Sequence, residues 1–107
     1  MILGHPPLTG DEIAVFGHGV VDESRRADLM ERLEVLRRMT ADEPGTLAWQ
    51  WYCDLEDPSV LWVYELYADK DALEQHWEHV LPLLSGVGEC FSTPVTARRV
   101  RPLEGSS

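Results

Sequence analysis

Apolar and polar positions change period along this chain in a definite order. Residues Ile13 to Val21 alternate, Ser24 to Ala41 recur at helical spacing, and Thr46–Asp54 and Val60–Ala68 alternate again. Helical spacing then returns after Asp69, and a last extended run covers Phe91 to Pro102. A two-residue period marks a strand and a 3.6-residue period a helix, so the pattern predicts β-α-β-β-α-β. Asp22 to Ser24 supplies caps for the first helix, whose stripe is Leu29, Leu33, Leu36 and Thr40. Glu43-Pro44-Gly45 ends it, because proline brings no donor and glycine tolerates the exit geometry. Leu55 to Ser59, with Asp57-Pro58 inside, is a hairpin connection. Asp69 caps the second helix, with Leu73, Trp77, Val80, Leu81 and Leu84 as its stripe, and Pro82 is expected to kink or end it before a short turn over Leu83 to Gly88.

The predicted fold is α+β and ferredoxin-like: a four-stranded antiparallel sheet with two helices on one face. Its strands are apolar on both sides. Leu47, Trp49, Trp51 and Cys53 alternate with Ala48, Gln50 and Tyr52, and Leu61, Val63, Glu65 and Tyr67 alternate with Trp62, Tyr64, Leu66 and Ala68. Two helices cover only one such face, so the other calls for a second subunit, giving a dimeric α+β barrel. In the first strand, Gly17 and Gly19 mark a bulge, a close approach of ligand or helix, or a simple bend.

Composition narrows this picture. The 107 residues suit one domain, read as an arm over 1–11, a domain over 12–101 and a tail over 102–107. With 19 acidic against 9 basic residues the net charge is -10, which repels phosphate backbones and anionic lipid, so neither nucleic acid nor membrane is an expected partner. The N-terminus lacks a basic region with a long apolar run and no stretch is long enough to span a bilayer, so the expected location is the cytoplasm. Cys53 and Cys90 have no metal or redox spacing, and no phosphate-cradling glycine loop occurs; no metal and no cofactor are expected.

Three motifs then fall into one order: Glu43-Pro44-Gly45 before a strand, Glu56-Asp57-Pro58 in the hairpin, and Tyr64-Glu65-Leu66-Tyr67-Ala68-Asp69 followed by Ala72-Leu73-Glu74-Gln75-His76. In this, over residues 12–101, the chain resembles the antibiotic-biosynthesis monooxygenase family, which includes quinol monooxygenases and small anthrone oxygenases. The resemblance implies a homodimer joined through its sheets. It also implies oxidation of an electron-rich phenolic substrate by molecular oxygen with neither metal nor flavin. The scaffold also serves haem-degrading, isomerase-like and lyase-like proteins, so fold alone does not select a reaction. A helix histidine can ligate haem iron. Several relatives, the haem-degrading ones among them, place an Asn near the substrate; this chain has no Asn, so an Asn-dependent mechanism is absent or served by another residue.

Candidate chemistry follows from residue type and position. His76, on the flank of the second helix's stripe, is either a base that removes a phenolic proton or a core histidine bonded to Glu65 or a backbone carbonyl. His18 is an alternative base if its strand face meets the helices, and an interface residue if it does not. Glu65, on an apolar strand face, needs a partner; Arg98 or Arg99 is expected to be it, with orientation of His76 or substrate as the other reading. His79 is expected to face solvent. All 4 Trp and 3 Tyr fall between residues 49 and 77. Phe16, Tyr52, Trp62, Tyr64 and Trp77 are the expected walls of a chamber for a small aromatic ligand, and the same rings equally suit a core and a dimer interface. The expected function is cofactor-independent monooxygenation of a quinol-like or polyketide-like compound, against a non-oxidative cyclase or isomerase, or a binding protein without turnover.

Overall fold

The fold is seen in a computed structural model that describes residues 9–103, so most of the expected arm, its His5 and the end of the tail lie outside the described residues. The element order is β1 (Ile13–Val20), α1 (Arg26–Ala41), β2 (Thr46–Cys53), β3 (Val60–Tyr67), α2 (Lys70–Gly88) and β4 (Thr96–Val100). One antiparallel sheet carries the strands in the order β2-β3-β1-β4, so β1 is central and β2 and β4 are edges. This is the expected ferredoxin-like α+β plan.

Asp22 caps a 3-10 turn over Glu23–Arg25 by accepting from the Ser24 N–H, and α1 continues from it. Asp69 accepts from the Ala72 N–H at 2.8 Å and opens α2. Of the two expectations for Pro82, that it ends α2 does not hold: the helix runs through it to Gly88. Proline removes one backbone donor, but Val80 and Val87 on either side are buried in the core and hold the segment in place. The final strand is shorter than the run from Phe91 to Pro102, because Phe91 forms only an isolated bridge to Val21 before the chain turns into β4.

One core joins α1 to the sheet, with Leu29, Leu33, Leu36, Leu61, Val80 and Phe91 buried and Trp49 and Trp51 packed against it. A second, smaller cluster of Val15, Tyr67, Ala72 and Leu73 lies under the start of α2. The β1 glycines mark no bulge, since β1 pairs with β3 in unbroken register, and what comes close to them is not a helix but side chains of the neighbouring strand and of the approach to β4. A Cβ on Gly19 would stand 2.8 Å from the Phe91 ring, and one on Gly17 3.0 Å from Val63 Cγ1. In β2 the alternation breaks where Thr46 pairs with Tyr67 but Ala48 pairs with Leu66, which leaves Leu47 as an extra residue. That bulge rotates Thr46 onto the helix-covered face and leaves Leu47 exposed.

Candidate active site

The turn after α1 builds the centre of the site. Gly45 presses against α2 so closely that a Cβ on it would come within 2.5 Å of the Ala72 Cβ, and its carbonyl accepts from the Ala68 N–H. Docked there, Glu43 reaches two imidazoles on α2: Oε1 lies 2.7 Å from His76 Nδ1 and Oε2 2.6 Å from His79 Nδ1. Thr46, turned inward by the bulge, donates its hydroxyl to the same Oε1 at 2.7 Å. Burial alone would raise the pKa of Glu43, but the hydrogen bonds from Thr46, His79 and His76 outweigh it and hold the carboxyl below its ordinary value. His76 is buried within the α2 stripe, not on its flank, and the partner of its Nδ1 is Glu43 instead of the expected Glu65 or a backbone carbonyl. His79 is exposed, as expected, and also lies within ion-pair distance of Glu43, a contact the sequence did not disclose.

Behind this pair lie Glu65 and Tyr67. The Tyr67 ring is fully buried, 5.1 Å from the His76 ring, and its hydroxyl donates a short hydrogen bond to Glu65. Burial raises the Glu65 carboxyl above its ordinary value, with Tyr67 and His76 opposing that shift and Glu43 adding to it. Tyr67 is pushed far up by burial and by the Glu65 charge, so it stays protonated as a donor. The expected pairing of Glu65 with Arg98 or Arg99 is not formed. Arg98 pairs with Phe16 and so shares the opposite face, while Arg99 lies over the Trp77 ring with 5.6 Å to its centroid.

A cleft of about 710 Å³ opens between α2 and the end of edge strand β4, beside Ile13 at the start of β1. Ile13, Leu73 and Trp77 supply apolar wall, and Lys70, Arg99 and Arg101 bring positive charge beside Glu74 and Glu78. Leu73 faces both ways: it lines the cleft and belongs to the buried cluster with Tyr67, one helical turn before His76.

The single chamber expected to hold His18, Glu65, His76 and the aromatic side chains is not what forms. The sheet divides them. His76, Glu65 and Trp77 stand on the helix-covered face, whereas Phe16, His18, Tyr52, Trp62 and Tyr64 share the open one. On that face the rings pair: His18 and Trp62 centroids are 4.7 Å apart, and Phe16 and Tyr64 5.2 Å. Within one chain, a ligand touching His76 therefore touches none of those five. Strand parity had already placed Trp62 and Tyr64 opposite Glu65, so the division was visible in the alternation itself. Glu43 and Thr46 were missed as site residues, the first because its motif reads as a helix stop, the second because a bulge reverses its facing. Among the described residues no group of three or more His, Cys, Asp or Glu side chains is placed to hold a metal ion, and no helix is long and apolar enough to cross a membrane.

A four-stranded antiparallel sheet under two helices, with a carboxylate clamped between two α2 histidines, defines a ferredoxin-like α+β protein with a buried titratable centre. The antibiotic biosynthesis monooxygenase family model matches residues 14–79, and the chain belongs to that family. Among solved structures, it is similar to Rv0793 from Mycobacterium tuberculosis, with 26% identity, a TM-score of 0.79, and 90% of this chain and 99% of that one covered. A conserved protein from Methanosarcina mazei Go1 superposes with a TM-score of 0.83 at 23% identity, over 88% of this chain and 95% of that one. A Caulobacter crescentus CB15 protein provisionally described as an antibiotic biosynthesis monooxygenase gives 0.79 at 23% identity, over 91% and 94%. No curated protein matches the chain.

Proposed function

We propose that this protein is a cofactor-independent monooxygenase for a small electron-rich aromatic compound, quinol-like or polyketide-like, working in the cytoplasm as a homodimer. The substrate ring occupies the cleft of about 710 Å³ against Leu73 and Trp77. The observation that carries this reading is the Glu43–His76 contact of 2.7 Å, one helical turn from Leu73 and next to Trp77 on the cleft wall. A carboxylate on Nδ1 fixes the tautomer and orientation of the imidazole and leaves Nε2 as the basic nitrogen. His76 then takes a proton from a phenol or from the methylene it activates, with the ring's reactive edge directed past Leu73. The resulting anion reduces molecular oxygen. When a methylene becomes a carbonyl, carbon gives up four electrons; one oxygen atom stays on carbon and the other leaves as water.

The second subunit belongs to the same reading. Phe16, Tyr52 and Trp62 are 50%, 53% and 42% exposed on the open sheet face, a large apolar surface for so small a chain. A second copy laid sheet to sheet covers it.

Oxygen uptake by the purified protein with a panel of anthrones and quinols, with no metal or flavin added, tests the activity. Uptake that falls by about a hundredfold in His76→Ala, with the variant still folded, supports the reading. Conversion of the same compounds under nitrogen would show a non-oxidative isomerase or cyclase in its place.

A further inference from the structure

The cations of the cleft are left over from folding. The chain carries 19 acids and 9 bases, yet three of those bases, Lys70, Arg99 and Arg101, meet at one apolar cleft. Lys70 is near Glu74 at a loose 3.9 Å, and Glu78 is the other acid on the wall. Arg99 and Arg101 have no carboxylate within ion-pair distance among the described residues. The natural partner for Arg99 on its own sheet face is Glu65, since Val15 pairs with both residues across β1. Glu65 is instead half-buried and accepts from the Tyr67 hydroxyl. Arg99 rests on the Trp77 face, which holds a guanidinium in position while occupying none of its five N–H donors.

An arginine pre-positioned on an indole, at the mouth of a cleft walled by Ile13 and Leu73, is a receptor for a flat apolar body with an anionic end. From this we infer that the cleft selects aromatic carboxylic acids, with the ring between α2 and the end of β4 and the carboxylate on Arg99 and Arg101. This rests on the reading above only in assigning the cleft to the substrate. It narrows that substrate from any electron-rich aromatic to a phenolic or quinol ring that also bears a carboxylate. Specificity then comes from Arg99 in β4 and Arg101 just past it, on a different element from His76 and Glu43.

Titration calorimetry under nitrogen, comparing 1-naphthoate with its neutral counterpart 1-naphthalenemethanol, separates binding from oxygen chemistry. The acid is expected to bind at least about tenfold more tightly, the scale of a charge-assisted contact at a partly exposed site. Arg99→Gln with Arg101→Gln should erase that preference and leave the alcohol's affinity as it was. Arg38→Gln, an exposed change on α1, should leave both unchanged. Equal binding of acid and alcohol, failure to bind either at millimolar concentration, or a preference untouched by the double substitution would overturn the inference. Oxygen uptake with 2,5-dihydroxybenzoate and with neutral hydroquinone forms the second arm. Selective capture of the acid without oxygen uptake leaves the receptor standing and removes the oxygenase; oxidation of neutral quinols without acid selectivity does the reverse.

Discussion

Glu43 Oε1 and His76 Nδ1 lie 2.7 Å apart across 33 positions of sequence, and that contact ties the exit of α1 to the second turn of α2. Because the same carboxylate also receives His79 and Thr46, removing it leaves buried His76 and part-buried Thr46 without that partner and returns exposed His79 to water. Glu43→Ala is therefore expected to cost about 2–3 kcal/mol at neutral pH, read from denaturant unfolding. A loss within the range of ordinary surface substitutions, about 0.5 kcal/mol, would show that the cluster contributes little.

The pH dependence of that loss has a fixed sign. The folded-state value of Glu43 is depressed below its ordinary 4.5, so its stabilisation is complete above that value. It disappears as pH falls through the depressed one. Wild type and Glu43→Gln should accordingly differ more at pH 7 than at pH 3. A gap that stays constant or widens on acidification would remove the ionised carboxylate as its source.

Glu65 carries the opposite sign. Burial raises its value, so the fold favours the protonated acid, and the penalty of ionising it grows as pH rises from the ordinary 4.5 through the raised value. Glu65→Gln keeps an acceptor for the Tyr67 hydroxyl and removes the charge. It should raise the unfolding midpoint at pH 8 and do less at pH 4. If it destabilises at pH 8, the ionised carboxylate is needed, which favours a role in ordering His76.

The contact between Gly45 and Ala72 makes a reciprocal prediction. A Cβ on Gly45 would fall 2.5 Å from that of Ala72, and the Gly45 backbone is not in the left-handed region, so crowding alone sets the cost. Gly45→Ala should destabilise by about 1–3 kcal/mol. Ala72→Gly in the same chain removes the obstructing methyl and should recover part of it, less the helix penalty of about 1 kcal/mol. Additive losses in the double variant would place the strain elsewhere.

That contact also explains how much the sequence disclosed. Element order and strand facing were legible because burial imposes a period on each segment, and Leu61, Val63 and Tyr67 fall on the helix-covered face as alternation requires. The ends of α2 and β4 were not, since Pro82 is overruled by the burial of Val80 and Val87 around it, and Phe91 spends its extended run capping Gly19. For the site, His76 and Glu65 announced themselves as polar residues in apolar stripes. Glu43 did not, because Glu-Pro-Gly serves equally as a helix stop. Its second role depends on where the turn docks, and only Gly45 facing the small Ala72 hints at that. Facing of Thr46 was hidden by the bulge at Leu47, and Trp77, expected both in the α2 stripe and on a chamber wall, is half-exposed and forms the platform for Arg99.

The open face gives the last prediction. Helices protect the side of Val15, Val63 and Tyr67, so Phe16 and Trp62 on the other side meet water in a lone chain and a second sheet in the proposed dimer. Phe16 lies against Tyr64, and His18 against Trp62, each pair tilted, so the rings form a contiguous aromatic surface. A charge placed there costs the interface its burial but leaves the core untouched, because the helix-facing residues do not move. Phe16→Lys is thus expected to convert a dimer to a folded monomer in sedimentation equilibrium, with helical and sheet signals retained in circular dichroism. The control Glu31→Lys, on the exposed side of α1, should remain dimeric. A wild-type protein that sediments as a monomer at tens of micromolar, a range in which sheet-to-sheet burial of this kind should hold, would end the dimer reading. It would leave the Glu43–His76 centre intact, since that centre lies wholly within one chain.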